Sequence, residues 1–209
     1  MEYIQKFENG LVLFKPSKTF TDNRGSFSET YKKESMDFLN FNPIQENESH
    51  SHHGVIRGLH FQKPPYAQAK LVRVANGKVI DVAVDLREGS KTYGQWTAVT
   101  LSAENGLQFF IPKGFAHGFI ALVYDTVFQY KVDAPYNKES EGSINAFSNF
   151  PNQPQSGLYL PNNNGSIPWI EWLESSGFQP NGKTLLSEKD EEAISFTDED
   201  FKTPFTVDF

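Results

Sequence analysis

The chain has no cysteine among its 209 residues, so disulfide bonds, thiolate zinc sites and cysteine nucleophiles are all excluded. It also has no apolar run that approaches the roughly 18 residues needed by a membrane-spanning helix. The opening segment, from Met1 to Glu8, is too polar for the apolar stretch of a signal peptide. We therefore expect a cytoplasmic protein that has no membrane partner.

Positive charge is in short supply, because 19 Lys and Arg residues stand against 26 Asp and Glu residues and the net charge is −7. Nucleic-acid binding needs a basic footprint, so this balance argues against nucleic acid as a partner. A few well-placed Arg and Lys side chains can still hold a small anionic ligand. Aromatic residues make up 14% of the chain and 19 of them are Phe, which predicts a folded chain with a large core.

Short runs rich in Val, Ile and Thr dominate residues 11–132, and turn sequences such as Asn76-Gly77 separate them. Strands at such short intervals predict an all-β sandwich or barrel. We expect short helices only at Glu29–Leu39, Ile167–Ser176 and Ser187–Asp200. The chain is predicted to be one domain over residues 1–209, with an irregular insertion at about 146–183 and an acidic tail at about 188–209.

The segment Gly106-Leu-Gln-Phe-Phe-Ile-Pro112-Lys-Gly114-Phe-Ala-His117 resembles the second motif of the cupin superfamily, whose fold is a double-stranded β-helix, or small jelly roll. Upstream, Gly54-Val-Ile-Arg57-Gly-Leu-His60-Phe-Gln62 resembles the first motif, with Gln62 in place of its second His. A divalent metal in a cupin needs about three His and a carboxylate. Because only two of these His remain, we expect no metal. The cluster His50-Ser-His-His53 is interpreted as a solvated loop or a loop at a ligand rim.

Two His, one Lys and one Tyr stand at motif spacing in these strands, and they suit proton movement next to a carbonyl group. An imidazole is a good base near neutral pH. A Tyr hydroxyl can return a proton from another direction, and a Lys or protonated His can stabilise an enolate oxygen. The sequence shows no serine elbow, phosphate-cradling loop or dinucleotide fingerprint. These residues predict an epimerase or isomerase that needs no cofactor, and they are His60, His117, Lys70 and Tyr130.

Together these residues resemble the dTDP-4-dehydrorhamnose 3,5-epimerase family over about residues 10–145 and 184–191. The segment with Arg57 and His60 is the most diagnostic part of the match. The other matching segments include Asp22-Asn-Arg24-Gly-Ser-Phe27-Ser-Glu29, Gln45-Glu-Asn47-Glu-Ser49, Lys70-Leu-Val-Arg-Val and Leu186-Ser187-Glu-Lys189-Asp190.

The resemblance implies a role for each matching residue. His60 would be the base that removes the proton from sugar C3 and C5, with Asp190 as its acidic partner. Lys70 would hold the C4 oxygen, and Tyr130 would donate a proton on the opposite face. The residues implied to bind or support the substrate are Arg24, Glu29, Gln45, Asn47, Arg57, His117 with Asp81, Tyr136, Glu141 and Lys189. Family members are homodimers with exchanged N-terminal segments, so Arg24 and Glu29 are expected to serve the neighbouring site.

The sequence departs from the family after Glu141, where Gly142-Ser-Ile-Asn and an Asn- and Pro-rich stretch replace the usual motif. The nucleotide, the sugar and the number of inverted carbons therefore stay open. The alternatives are a single-site epimerase acting at C3 or C5, a 3,4-ketoisomerase, and a non-catalytic sugar-binding cupin.

Overall fold

The computed structural model describes residues 1–16, 18–150, 165–178, 186–199 and 201–206. Most of the described residues outside loops lie in β-strands. The strands are β1 (Glu2–Lys6), β2 (Val12–Lys15), β3 (Thr19–Asp22), β4 (Gly25–Ser28), β5 (Gln45–Ser51), β6 (Ile56–Gln62), β7 (Lys70–Asn76), β8 (Lys78–Asp85), β9 (Arg87–Glu88), β10 (Trp96–Ser102), β11 (Gln108–Ile111), β12 (Phe115–Ala121), β13 (Thr126–Val132), β14 (Glu141–Ser143) and β15 (Phe205–Thr206). The helices are α1 (Trp169–Ser175), α2 (Glu188–Glu191) and the 3-10 helices Lys33–Leu39 and Lys138–Ser140.

Two antiparallel sheets form the centre of the molecule. One has the strand order β1-β2-β11-β7-β13-β5 and the other has the order β10-β8-β12-β6-β14. Strands that are distant in sequence are thus neighbours in both sheets, as β6 and β12 are. This arrangement, with few and short helices, confirms the predicted jelly roll.

The space between the sheets is filled by apolar side chains, and strand alternation decides which residues enter it. Along β8, Val79 and Ala83 belong to the core between the sheets, whereas Ile80 and Val82 belong to a second core on the outer face. Asp81 lies on the same side of β8 as Val79 and Ala83, so its carboxylate faces the core between the sheets and is fully buried. The two-residue alternation of side chains along the strand therefore places a carboxylic acid side chain in the interior of the barrel.

Both sheets are also covered on their outer faces. Met36, in the 3-10 helix Lys33–Leu39, packs on the outer face of the six-stranded sheet near Phe14 and Leu71. On the outer face of the five-stranded sheet, Trp172 in α1 contacts Trp96 with ring centroids 6.1 Å apart. Buried aromatic contacts of this kind explain much of the aromatic content of the chain.

All three predicted helices are present, but the first begins four residues later than predicted, at Lys33, and the last is much shorter than predicted. The first predicted helix is the 3-10 helix Lys33–Leu39, and the second is α1. The helix predicted over residues 187–200 is α2 alone, a single turn that ends at Glu191. Ile194 instead forms a parallel bridge with Ile144, and Phe196 packs into the outer core. The bridge made by Ile194 and the burial of Phe196 outweigh helix propensity in an acidic run.

The described part of the insertion at about 146–183 is tied to the barrel. The indole nitrogen of Trp96 donates to the carbonyl of Gly165 at 3.1 Å, and that of Trp169 donates to the carbonyl of Ala146 at 2.8 Å. Residues 151–164 and 179–183 of the insertion lie outside the described residues, and the division into a single domain stays a prediction. Among the helices described here, none is long and apolar enough to cross a membrane.

Candidate active site

A cavity of about 480 Å³ opens between the two sheets at one end of the barrel. Its wall combines charged groups with apolar side chains, as small-molecule sites usually do. It is lined by Ser49, Val55, Ile56, Arg57, His60, Lys70, His117, Gly118, Phe119, Phe128, Tyr130, Leu186, Ser187 and Asp190. Six of the predicted site residues are in this lining: His60, Lys70, Tyr130, Asp190, Arg57 and His117.

The titratable groups of the cavity come from opposite sheets. His60 on β6 pairs in register with His117 on β12, both in the five-stranded sheet. Lys70 on β7 and Tyr130 on β13 belong to the six-stranded sheet. A molecule held between the sheets would therefore meet imidazoles on one side and a phenol and an amine on the other.

Close approach of β6 and β12 depends on two glycines. A Cβ atom on Gly58 would lie 2.6 Å from the Cα atom of Gly118, and one on Gly118 would lie 2.6 Å from the carbonyl oxygen of Arg57. Gly58 also has a φ angle of 122°, which side-chain-bearing residues rarely adopt. These two positions explain why glycine stands beside His60 and His117.

His60 is paired with a carboxylate from the distant C-terminal segment. Its Nε2 atom lies 2.5 Å from Oδ1 of Asp190, whose side chain is only 4% exposed. Burial alone would raise the pKa of Asp190, but the hydrogen bond and charge of His60 hold that pKa below its usual range. Asp190 therefore carries a negative charge that can orient the imidazole and balance a proton on it.

A second imidazole and carboxylate pair lies deeper in the barrel. Nε2 of His117 is 2.8 Å from Oδ2 of Asp81, and both side chains are buried. Burial lowers the pKa of His117 and raises the pKa of Asp81, and each partner opposes the shift of the other. Burial thus works against charge on both groups, which separates this pair from the more open His60 and Asp190 pair.

Lys70 faces the cavity from the opposite sheet. Burial lowers its pKa to about 8, although the nearby carboxylates Asp81 and Glu141 work in the other direction. An amine with this pKa is still mostly protonated at neutral pH, and it can give up its proton more readily than an ordinary Lys.

Tyr130 stands on β13 directly opposite Asn47 on β5. Burial raises the pKa of Tyr130, while the charge of Arg57 and a hydrogen bond with Asn47 partly offset that effect. The phenol is therefore protonated at neutral pH and can donate. Gln45 donates to Asn47 at 2.8 Å, so these two amides form a short polar row beside the phenol.

A chain of three polar side chains lies at β14, outside the cavity lining itself. The Tyr136 hydroxyl donates to Glu141 at 3.2 Å, and Lys189 forms an ion pair with the same carboxylate. Burial would raise the pKa of Glu141, but Lys189 holds it below its usual range. Tyr136 is 56% exposed, so its ring is free to contact a ligand at the mouth.

The sequence profile of the family described as dTDP-4-dehydrorhamnose 3,5-epimerase matches residues 8–198. The chain belongs to this family. A dTDP-4-dehydrorhamnose 3,5-epimerase of Sinorhizobium fredii is 50% identical over 135 residues, which are 63% of this chain and 69% of that protein.

Two solved structures of family members resemble the whole chain. The dTDP-4-dehydrorhamnose 3,5-epimerase of Elizabethkingia anophelis has a TM-score of 0.77 and 40% identity, covering 96% of this chain and 99% of that one. The epimerase of Legionella pneumophila, in complex with dTDP-4-keto-L-rhamnose, has a TM-score of 0.73 and 38% identity, covering 94% of each chain.

Eight of the predicted site residues lie outside the cavity lining, and two of these, Arg24 and Glu29, stand in the exposed segment around β3 and β4. Arg24 is on the exposed hairpin of β3 and β4, where it forms an ion pair with Asp22 at 2.5 Å. Glu29 follows β4 and is also exposed. The expectation that both serve the cavity of a neighbouring subunit stays a prediction.

The predicted His loop is wrong for His50 only, because His52 and His53 lie in the loop that follows β5. His50 lies within β5, where it pairs with Val127 of β13, and His53 hydrogen-bonds Ser176 at 2.8 Å. Pairing of the whole of Gln45–Ser51 with β13 explains why the strand extends this far. No group of three or more metal-binding side chains is found among the described residues.

Several lining residues had no role in the sequence analysis. The hydroxyl of Ser49 is buried and has no hydrogen-bond partner within the described residues. Ser49 and Ser187 both stand inside the family motifs, so a motif signal for them existed. Val55 and Leu186 also stand inside these motifs, whereas the apolar lining residue Phe128 lies outside them and is brought together with Phe119 only by the fold.

Proposed function

We propose that this protein inverts C3 and C5 of a nucleotide-diphosphate 4-keto-6-deoxyhexose, in the manner of a dTDP-4-dehydrorhamnose 3,5-epimerase. The observation that carries the proposal is the placement of an imidazole and a phenol on opposite walls of one cavity, in a chain that belongs to this family. Inversion of a carbon requires removal of a proton from one face and its return to the other. A base on one wall and a proton donor on the opposite wall meet that requirement.

His60 removes the proton from the carbon next to the C4 ketone. Asp190 engages Nε2 of the imidazole, so Nδ1 is the nitrogen that accepts the proton. The carbon–hydrogen electron pair moves into a carbon–carbon double bond, and the ketone oxygen becomes an enolate oxygen. The ionised carboxylate of Asp190 stabilises the imidazolium that forms.

Lys70 and Tyr130 complete the reaction from the other sheet. The protonated amine of Lys70 donates to the C4 oxygen as its negative charge develops. Tyr130 then donates its hydroxyl proton to the opposite face of the carbon. The carbon–carbon double bond becomes a single bond again, and the C4 ketone is restored. Solvent afterwards reprotonates Tyr130 and takes the proton from His60. All steps are proton transfers, so the proposed reaction requires no redox cofactor and no metal.

We assign the remaining polar groups to substrate binding. Arg57 and Lys189 supply positive charge for the diphosphate, with Gln45 and Asn47 as polar neighbours on β5. At the rim, the exposed ring of Tyr136 suits the face of a nucleotide base, and Glu141 suits a donor of the base or sugar. The buried pair of His117 and Asp81 borders the sugar end of the cavity.

We also propose a homodimer in which the hairpin of β3 and β4 crosses to the partner. Phe20 and Phe27 pair across this hairpin and are 61% and 70% exposed. Two large apolar side chains in water favour burial in an interface. Arg24 and Glu29 would then reach the partner's cavity. The cytoplasmic location and the absence of membrane and nucleic-acid partners stay predictions, and the acidic net charge supports the last of these.

Deuterium incorporation tests the reaction directly. The protein is incubated with dTDP-4-keto-6-deoxyglucose in D₂O, and the deuterons at C3 and C5 are counted by NMR. Two deuterons per sugar are expected, one would indicate a single-site epimerase, and none would contradict the proposal for this substrate. Movement of the ketone from C4 to C3 would indicate a 3,4-ketoisomerase.

Two variants test the proposed roles of His60 as the base and Tyr130 as the proton donor in the same assay. Removing the base in His60→Ala should abolish exchange of the C3 proton. Tyr130→Phe should keep exchange and slow net inversion, because proton removal persists without return to the opposite face. Equal loss of exchange and inversion in Tyr130→Phe would contradict its assignment as the donor.

A further inference from the structure

Gln62 stands where the first cupin motif has its second His, and its side-chain amide binds three backbone atoms. Its Nε2 atom donates to the carbonyl oxygen of Pro135 at 3.0 Å and to that of Tyr66 at 3.2 Å. Its Oε1 atom accepts from the backbone nitrogen of Asn137 at 2.9 Å. The residue is only 6% exposed, so water competes little for these bonds. The amide thus serves the backbone, and Gln62 lies outside the cavity lining.

Two of these three hydrogen bonds bracket Tyr136. Pro135 and Asn137 are its neighbours in the chain, so the amide of Gln62 holds the backbone both before and after this residue. Tyr136 is 56% exposed, and its hydroxyl donates to Glu141 at 3.2 Å. An exposed ring has few packing contacts to direct it, so its orientation depends on how firmly its own backbone is held.

The same amide also supports the carboxylate that receives the Tyr136 hydroxyl. The side chain of Asn137 accepts from the backbone nitrogen of Ser140 at 3.0 Å, and this bond closes the turn that leads into β14. Glu141 begins β14 and pairs in register with Gln62 on β6. Gln62 therefore sets the position of both groups in the hydroxyl–carboxylate contact.

We infer that Gln62 is a positioning residue, and that its amide holds the ring of Tyr136 in the orientation in which the ring meets the base of a bound nucleotide. This inference rests on the proposed function, in which Tyr136 contacts the base. A side chain that is already held in its bound orientation loses less conformational freedom on binding, and this raises affinity. Gln62 therefore contributes to nucleotide affinity without touching the ligand.

Replacing Gln62 by Met removes the three hydrogen bonds and keeps the length of the side chain. The groups proposed to transfer protons keep their places on other positions of the strands, so binding should suffer and chemistry should not. We expect Gln62→Met to raise the Kd of dTDP, measured by calorimetry, and the KM of the nucleotide sugar by about tenfold, with kcat within about threefold of the wild type. A fall in kcat as large as the rise in KM would overturn the inference.

Gln68→Met is the matched control. Nε2 of Gln68 donates to the carbonyl oxygen of Ala134 at 2.8 Å, so it holds the same segment but does not bind a neighbour of Tyr136. The Kd of dTDP should stay within about threefold of the wild type in this variant. An equal rise in Gln68→Met and Gln62→Met would show that any loosening of the segment has the same effect, and it would overturn the inference.

A double-mutant cycle shows whether Gln62 acts through the ring. Tyr136→Ala should itself raise the Kd of dTDP, and adding Gln62→Met to it should raise the Kd little further, because the ring to be positioned is gone. Two rises that multiply would show independent effects and overturn the inference. A Tyr136→Ala protein that binds dTDP as the wild type does would overturn it as well.

Binding of dTDP requires no turnover, so this test is independent of the reaction. Gln62→Asn serves if Gln62→Met fails to fold, because its amide is one methylene too short to reach both neighbours of Tyr136, and the same rise in Kd is expected. An unchanged Kd in the folded variant overturns the inference. If the wild type incorporates no deuterium while the Kd still rises in Gln62→Met and not in Gln68→Met, the proposed reaction fails and the role of Gln62 stands.

Discussion

Replacing Asp190 by Asn removes the charge beside the base while keeping the size of the side chain. The Asp190 side chain is 4% exposed and its Oδ1 lies 2.5 Å from Nε2 of His60, so an imidazolium formed in the reaction is stabilised directly by this carboxylate. We therefore expect Asp190→Asn to keep the fold and to lose most of the rate of proton removal.

The size of the loss follows from the separation and exposure of the pair. Two opposite unit charges about 4 Å apart attract by about 4 kcal/mol at an effective dielectric constant of about 20. Each 1.36 kcal/mol is a factor of ten in rate, which gives up to about 10³-fold. Because the His60 side chain is 33% exposed, solvent screens part of this attraction. We expect a loss of about 10²- to 10³-fold.

The assay is the rate of deuterium incorporation at C3, followed by NMR in D₂O at saturating substrate. Asp85→Asn is the matched control, because Asp85 is equally buried but is held by Arg87 outside the cavity lining. The control should lower the stability to unfolding and leave the exchange rate per folded molecule near that of the wild type. A folded Asp190→Asn protein that exchanges within about threefold of the wild type would refute the assignment of Asp190, given the roughly 10²-fold loss expected.

Two other perturbations probe the opposite sheet and the outer core. Since the pKa of Lys70 is about 8, its amine is protonated below that pH, and kcat should fall as the pH rises through about 8. Lys70→Met should lower kcat roughly 10²-fold and remove this fall from the pH profile. A fall that persists in Lys70→Met belongs to another group. Trp172→Ala should lower the free energy of unfolding by about 3–5 kcal/mol in urea titrations, because the ring is 4% exposed between Trp96 and Trp169. A loss below about 1 kcal/mol would show that α1 contributes little to the core.

Six strands were predictable from local sequence, because runs rich in β-branched residues and turn dipeptides act over a few positions; they are β2, β7, β8, β10, β11 and β13. The same local reasoning was wrong in two places. It extended the last helix beyond Glu191, since it could not foresee that Ile194 pairs with Ile144. It also placed His50 in a loop, since nothing local indicates that β5 pairs with β13 as far as Ser51.

The individual site residues were found in two different ways. His60 and His117 stood out by their motif spacing, and Lys70 and Tyr130 joined them as suitable proton-transfer groups. Asp190 entered through the family resemblance alone, because a carboxylate 130 residues away from His60 carries no local signal of its partner. Phe128, which forms the apolar wall together with Phe119, had no signal in the sequence.

The sequence by itself determined the all-β architecture, the cupin motifs and the chemical types needed for proton transfer, because these depend on residue identity and short spacing. The tertiary structure decided which side chains meet. Strand register turns Asp81 inward onto His117, the order of strands sets Tyr130 opposite His60, and the return of the C-terminal segment brings Ser187 and Asp190 to the base. Contacts between distant residues depend on the path of the whole chain, which short sequence patterns do not determine. The absence of cysteine excluded thiol chemistry, but only the assembled barrel shows which side chains are brought together for proton transfer.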